Sequence, residues 1–168
     1  MKKYSFFVLF LAIFALFLFS ACENATVIHT VSISEITAAG SKNYGVRISF
    51  ANDSRLDEKY VDVQVKFNKL GMLTFWQEHN EKLTFEIDEV DEWYSLTSMF
   101  VDAKGQNGTE DFEEHNSALT RTYLFNFDGK LNINIRVVAG NKEENSAGNG
   151  YILVGSEPIS DQFVLKLQ

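Results

Sequence analysis

Apolar and polar residues alternate along most of the chain beyond residue 26, in short runs separated by glycine, asparagine and acidic residues. A period of two is the pattern of a β-strand with one buried face, because successive side chains of a strand point to opposite sides of the sheet. The alternation is clearest at residues 44–50 and 61–67. Other apolar runs predict strands near residues 27–36, 83–87, 93–103, 151–154 and 162–167.

Residues 121–138 contain two alternating runs joined by Asp128-Gly129, a pattern that predicts a β-hairpin. With a three-residue loop that ends at Gly129, Phe125 would pair with Leu131, and the apolar faces of both arms would lie on the same side. A two-residue loop would slip the register by one residue and separate those faces. We therefore predict a hairpin with the three-residue loop.

The predicted elements are about eight or nine short strands without a long helix, and they indicate an all-β fold, an antiparallel β-sandwich. The strand number and spacing are immunoglobulin-like. The chain has one cysteine, so it lacks the Cys…Trp…Cys signature of true immunoglobulin domains. We expect one β-sandwich domain over residues 26–168.

The N-terminal segment has the pattern of a secretion signal. Lys2 and Lys3 form a short basic start, residues 6–19 are uniformly apolar, and two small residues then precede Cys22. The apolar run is shorter than the roughly 20 residues that a membrane-spanning helix needs. A basic start and a small-residue end around such a run are typical of a signal peptide.

Residues 18–22, Leu-Phe-Ser-Ala-Cys, resemble the lipobox of bacterial lipoproteins. The resemblance implies that residues 1–21 are removed as a lipoprotein signal peptide and that Cys22 carries the lipid attachment. Residues 22–25 would then be the lipidated cysteine and a short tether to the bilayer. Glu23 after the cysteine resembles lipoproteins that are passed to the outer membrane of the cell envelope. A lone cysteine in an exported chain forms no internal disulfide, which also favours lipidation.

The charge balance excludes some classes of partner. The chain has 15 Lys and Arg against 23 Asp and Glu, a net charge of −8. Cleavage before Cys22 would remove Lys2 and Lys3 and leave 13 against 23, a net charge of −10. A nucleic-acid-binding protein would carry a basic stripe instead. The acidic balance also argues against adhesion of the protein surface to anionic lipid, so the acyl chains would supply the attachment.

Candidate catalytic and metal-binding motifs are weak. No GxSxG, HExxH or phosphate-binding glycine loop occurs, and we predict neither enzymatic activity nor a cofactor. His79 and His115 lie in two Glu-His-Asn triplets 36 residues apart, within segments that resemble each other. The alternative to solvated loops is that these triplets converge on a metal ion. Asp88, Asp91 and Glu92 would offer oxygen ligands to calcium, but the glycine of an EF-hand loop is missing and we favour a charged, solvated turn.

Trp76, Trp93 and Tyr94 lie near predicted strand ends and are the candidate binding residues. Exposed rings at such positions bind proteins or sugars, whereas buried rings would fill the core. The sequence thus favours a membrane-anchored, non-enzymatic binding module with a protein partner or ligand in the envelope or outside the cell. The alternatives are a metal-dependent protein or enzyme that uses the His79 and His115 loops, and a structural subunit of an envelope assembly.

Overall fold

The fold is given by a computed structural model, which describes residues 31–37, 44–51, 53, 56, 58–78, 80–104, 113–114, 119–146 and 151–168. The predicted signal peptide, Cys22 with its tether, and the histidines at positions 29, 79 and 115 lie outside the described residues. Within the described part, no helix has both the length and the apolar character needed to cross a membrane.

The described residues form eleven β-strands and one helix. The strands are β1 Val31–Thr37, β2 Tyr44–Phe50, β3 Tyr60–Phe67, β4 Gly71–Gln77, β5 Leu83–Ile87, β6 Trp93–Ser95, β7 Glu113–Glu114, β8 Leu119–Phe127, β9 Leu131–Glu144, β10 Tyr151–Pro158 and β11 Phe163–Leu167. The helix, α1 Leu96–Lys104, lies between β6 and β7.

The strands form two sheets in which every pair is antiparallel. Sheet A has the order β1-β2-β8-β4-β5, and sheet B has the order β10-β9-β3-β6. In sheet B, β11 also pairs with β9, next to β10 on the same edge, and β7 pairs with β3. The predicted all-β sandwich is therefore confirmed.

The core lies between the sheets and is built from alternate residues of their strands. Val46, Ile48 and Phe50 of β2 are at most 4% exposed, as predicted from the alternation. In β3 the inward residues are those at 61, 63, 65 and 67, which are equally buried. Burial of each such side chain contributes about 1.5–3 kcal/mol.

The predicted hairpin at residues 121–138 is wrong. β8 belongs to sheet A, where Phe125 pairs with Tyr44 and Phe75, whereas β9 belongs to sheet B and pairs with β3. The turn between them carries the chain across the sandwich, and Gly129 adopts a φ of 96° there. The faces were predicted correctly, because β8 and β9 both direct their apolar residues inward. Those faces oppose each other across the core instead of lying side by side.

The predicted strand over residues 93–103 is also wrong beyond residue 95, because α1 begins at Leu96. The Ser95 hydroxyl accepts a hydrogen bond from the Ser98 N–H at 3.2 Å, which is the geometry of an N-cap. Leu96, Met99 and Phe100 are buried in the core. The helix contacts β5 of sheet A and both β3 and β6 of sheet B, and so it fills one side of the sandwich.

The two ends of the sandwich differ. The upper end is the end where β1 begins and β2 ends. There, the pairing of β9 with β3 stops at Gly140, and β9 continues for four more residues. At about 3.3 Å per residue, β9 and β10 together project as an arm of about 13 Å. At the lower end, the Tyr44 hydroxyl donates to the Gln168 carbonyl at 2.8 Å and accepts from its N–H at 3.0 Å, which fixes the last residue.

Candidate functional site

The outer face of sheet B carries a cationic surface, here called the basic face. It is formed by the outward positions of β3, β6, β9 and β11 in the lower half of the sheet. The strand registers place three cations, three amides, one hydroxyl, one indole and one aliphatic side chain there: Lys66, Arg136 and Lys166, Gln64, Asn132 and Asn134, Ser95, Trp93, and Val164. None of these positions is Asp or Glu, although the chain as a whole is acidic; Asp62, the next outward residue of β3, is a buried carboxylate at the upper border of this face.

Two cations of the basic face lie against Trp93, which is on the edge strand β6. Arg136 lies over its ring, with Cζ 4.0 Å from the ring centroid, and Lys66 Nζ lies 5.2 Å from the same centroid. The Arg136 Nε–H also donates to Gln64 Oε1 at 2.9 Å. Stacking on the indole and one hydrogen bond therefore fix the guanidinium. Partial burial lowers the pKa of Arg136.

A second cation and its aromatic neighbours lie above the basic face, on the same side of sheet B. Lys142 Nζ is 4.6 Å from the ring of Tyr60 and 4.6 Å from the ring of Tyr151. Tyr151 is 46% exposed, as is Ile152 beside it in the arm. Cations and rings therefore recur along the outer side of β9.

Trp76, the second candidate binding residue, lies on the outer face of sheet A. It is only 7% exposed, its cross-strand neighbour is Leu124, and Lys82 Nζ lies 4.6 Å from its ring. In this conformation little of the Trp76 ring is accessible to a ligand.

Tyr94, the third candidate, packs against the core at the lower end. Its ring lies 5.5 Å from Phe67 and 5.3 Å from Phe85. Its hydroxyl donates to Asp88 Oδ1 at 2.9 Å and accepts from the Glu89 N–H at 2.9 Å. Burial, followed by the bond to Asp88, raises the pKa of Tyr94. These contacts give Tyr94 a structural role, since it fixes the acidic loop before β6.

A shallow depression of about 580 Å³ lies on the other side of the molecule, on sheet A. Its lining includes Arg47, Ser49, Glu78, Thr120 and Thr122. The Thr120 hydroxyl donates to that of Ser49 at 3.4 Å. Arg47 lies on β2 and Glu78 directly follows β4, on the opposite side of β8, so the two residues are separated by about 10 Å along the sheet. The lining is hydrophilic, but it shows no nucleophile with a base beside it.

Asp62 is the one carboxylate that is both described and buried, at 4% exposure. It accepts hydrogen bonds from Ser95 Oγ at 3.0 Å and Thr97 Oγ1 at 3.2 Å, and a further one from the Thr97 backbone N–H. It therefore satisfies a free N–H in the first turn of α1. Burial outweighs these bonds and raises the pKa of Asp62 to about 6.

Among the described residues, no three His, Cys, Asp or Glu side chains come together in a way that would hold a metal ion. His79 and His115 lie outside this part of the chain, so the structure does not bear on a site formed by them. Searches against family models, curated proteins and solved structures found no match to this chain.

Sequence reasoning singled out Trp93 but missed the residues around it. The alternation of β3 and β9 places Gln64, Lys66 and Arg136 on outward faces, where they look like ordinary solvated residues. Their convergence depends on the pairing of β3 with both β9 and β6, which sets Gln64 opposite Arg136 and Lys66 opposite Trp93. The sequence contained one signal for this surface, which was the row of polar residues at the outward positions of β3 and β9.

Proposed function

We propose that this chain is a bacterial envelope lipoprotein, anchored by acyl chains on Cys22, whose sandwich is a non-enzymatic binding module. The observation that carries the proposal is the basic face. Arg136 and Lys66 share one indole, and the nearest carboxylate on the outward row of β3, Asp62, is buried and bonded to Ser95 and Thr97 instead. A fixed cationic surface on an acidic protein is typical of a binding site, because complementary charge selects the partner and speeds its association.

The resemblance of residues 18–22 to a lipobox supports the anchor. From Cys22 to the start of β1 at Val31 the chain spans at most about 30 Å when fully extended. The sandwich would therefore lie next to the bilayer, with its upper end toward the point of attachment. The glutamate at position 23 favours the outer membrane.

The strand order supports an immunoglobulin-like sandwich. The order β1-β2-β8-β4 corresponds to strands A-B-E-D of a constant-type domain, and β3-β9-β11 corresponds to C-F-G. On this assignment, β5, β6, β7, β10 and α1 are additions to the common plan. Such sandwiches serve many binding functions, and the function of this one depends on its surface.

Membrane attachment is tested with the full-length protein expressed in a bacterium that is fed an alkyne-tagged fatty acid. We expect label on the wild-type protein, its recovery in the detergent phase, and loss of both in Cys22→Ala. Unlabelled wild-type protein, or a variant that remains equally membrane-bound, would contradict the anchor.

Partner binding is tested by site-specific photo-crosslinking in intact cells. Val164 is 44% exposed on β11, at one edge of the basic face and in the same cross-strand row as Lys66, and Thr84 is an exposed control position on sheet A. We expect a defined adduct from a crosslinker at position 164 and none from position 84. The same adducts from both positions would favour a structural subunit enclosed in a larger assembly, and no adduct from either would contradict a binding module.

A further inference from the structure

The chemistry of the basic face identifies a class of ligand. This step rests on the proposed function, in which the basic face is the binding surface. We infer that the basic face binds an acidic polysaccharide, with a sugar carboxylate held between Arg136 and Lys66 and the neighbouring hydroxyls held by amide side chains.

Arg136 is prepared to bind a carboxylate. Its stacking on Trp93 at 4.0 Å and its Nε–H bond to Gln64 fix the plane of the guanidinium before any ligand arrives. That hydrogen bond uses one of five N–H donors. Among the described residues no carboxylate pairs with Arg136, so its terminal nitrogens are available for the two parallel bonds that a carboxylate accepts from arginine.

Lys66 adds a second positive charge to the same site. Arg136 Cζ and Lys66 Nζ lie 4.0 Å and 5.2 Å from the same ring centroid, so the two cations are at most about 9 Å apart. This separation is comparable to the Debye length, which is about 8 Å at physiological salt. Their repulsion is therefore only partly screened. An anion between them would relieve it, and no described acidic side chain occupies that position.

The remaining side chains favour a sugar over an acidic protein. Gln64, Asn132 and Asn134 each carry an amide, which donates and accepts hydrogen bonds and so matches a hydroxyl in either role. Apolar surface on the basic face is limited to Val164 and part of Trp93. The core of a protein interface is much more apolar. Four strands about 4.8 Å apart give an open platform about 14 Å wide, which suits an extended chain.

The test uses full-length protein in a non-ionic detergent, titrated with oligogalacturonate and followed by calorimetry. Maltohexaose is the neutral sugar and oligoglutamate the acidic peptide. We expect binding of oligogalacturonate that weakens as salt rises, and at least tenfold weaker binding of the other two probes. Equal binding of maltohexaose would overturn the role of the cations, and equal binding of oligoglutamate would overturn the choice of a sugar.

Variants locate the site. We expect Arg136→Gln and Lys66→Gln each to weaken oligogalacturonate binding at least tenfold. Lys82→Gln is the matched control, because Lys82 also lies over a tryptophan but on sheet A, and we expect a change of less than twofold. Equal losses in all three variants, or in none, would overturn the assignment. Thermal unfolding of each variant verifies that it is folded, and Lys66→Gln, at a partly exposed position, provides the readout if Arg136→Gln is unstable.

The outcome is separable from that of the proposed function. If oligogalacturonate fails to bind but position 164 still gives a defined crosslink in cells, the ligand class is wrong and the binding module stands. If neither experiment shows binding, both proposals fail. Lipid attachment at Cys22 is measured independently of both.

Discussion

The buried carboxylate of Asp62 makes a sharp prediction about stability and pH. Its pKa rises from 3.8 to about 6 in the folded protein, so the folded state holds the proton more tightly than the unfolded state. Its contribution is therefore most favourable below about pH 4, declines between about pH 4 and pH 6, and is constant above that window. A shift of about two units at 1.36 kcal/mol per unit makes the cost of ionisation about 3 kcal/mol at neutral pH.

Asp62→Asn removes this ionisation and keeps an oxygen that accepts hydrogen bonds from Ser95 and Thr97. We expect the free energy of unfolding of the wild type, relative to the variant, to fall by about 3 kcal/mol between about pH 4 and about pH 7. Urea unfolding of the detergent-solubilised protein, followed by tryptophan fluorescence, measures both proteins across that range. Glu86→Gln, at an exposed position of β5, is the control for loss of a surface carboxylate. The reasoning would be refuted if the free energies of unfolding of the wild type and Asp62→Asn changed in parallel with pH, or if the wild type became more stable relative to the variant as pH rises.

Three further changes test the packing. Leu165→Ala, at a fully buried position of β11, is expected to lower the free energy of unfolding in urea by about 2–5 kcal/mol. Lys166→Ala, at the adjacent exposed position, is expected to change that free energy by less than about 0.5 kcal/mol. Similar values for the two variants would contradict the register of β11. Gly140→Ala places a Cβ 2.9 Å from the Val154 carbonyl oxygen, so faster hydrogen exchange of β10 amides is expected, and unchanged exchange there would count against this contact. Tyr94→Phe removes the bonds to Asp88 and Glu89 and is expected to cost about 1 kcal/mol; an unchanged thermal midpoint would show that these bonds contribute nothing.

The alternation of residues predicted which side chains are buried more reliably than it predicted which strands are neighbours. The faces of β2, β3, β8 and β9 all follow from the sequence, and so does the sandwich. The predicted pairing of Phe125 with Leu131 does not occur. The same local pattern, a glycine turn between two alternating runs, is found both where the two strands are neighbours in one sheet and where they lie in opposite sheets. Only the competition among all the strands for partners decides between these arrangements.

The helix α1 and the environment of Asp62 illustrate two different limits. Leu96, Met99 and Phe100 have helical spacing after the N-cap Ser95, so the sequence contained a signal for α1 that the prediction of a strand overlooked. Asp62 is different, because its place in the alternation of β3 marks it as solvated. Its burial depends on the start of α1, which lies beside it. The contact with Ser95 joins residues 33 positions apart in the chain, so no local pattern reveals it.

The places where the described chain enters and leaves the sandwich determine how it responds to mechanical force. β1 begins at the upper end, and Gln168 is held by Tyr44 at the lower end. Tension applied between those two points runs parallel to the strands, so it shears the β1–β2 and β11–β9 ladders and loads all of their hydrogen bonds at once. A sheet pulled in this direction resists extension far better than one that is unzipped bond by bond. Under the proposed function, the tether would hold the upper end and a bound polymer would pull on the lower half of sheet B, so the load would again run along the strands and the fold would resist it.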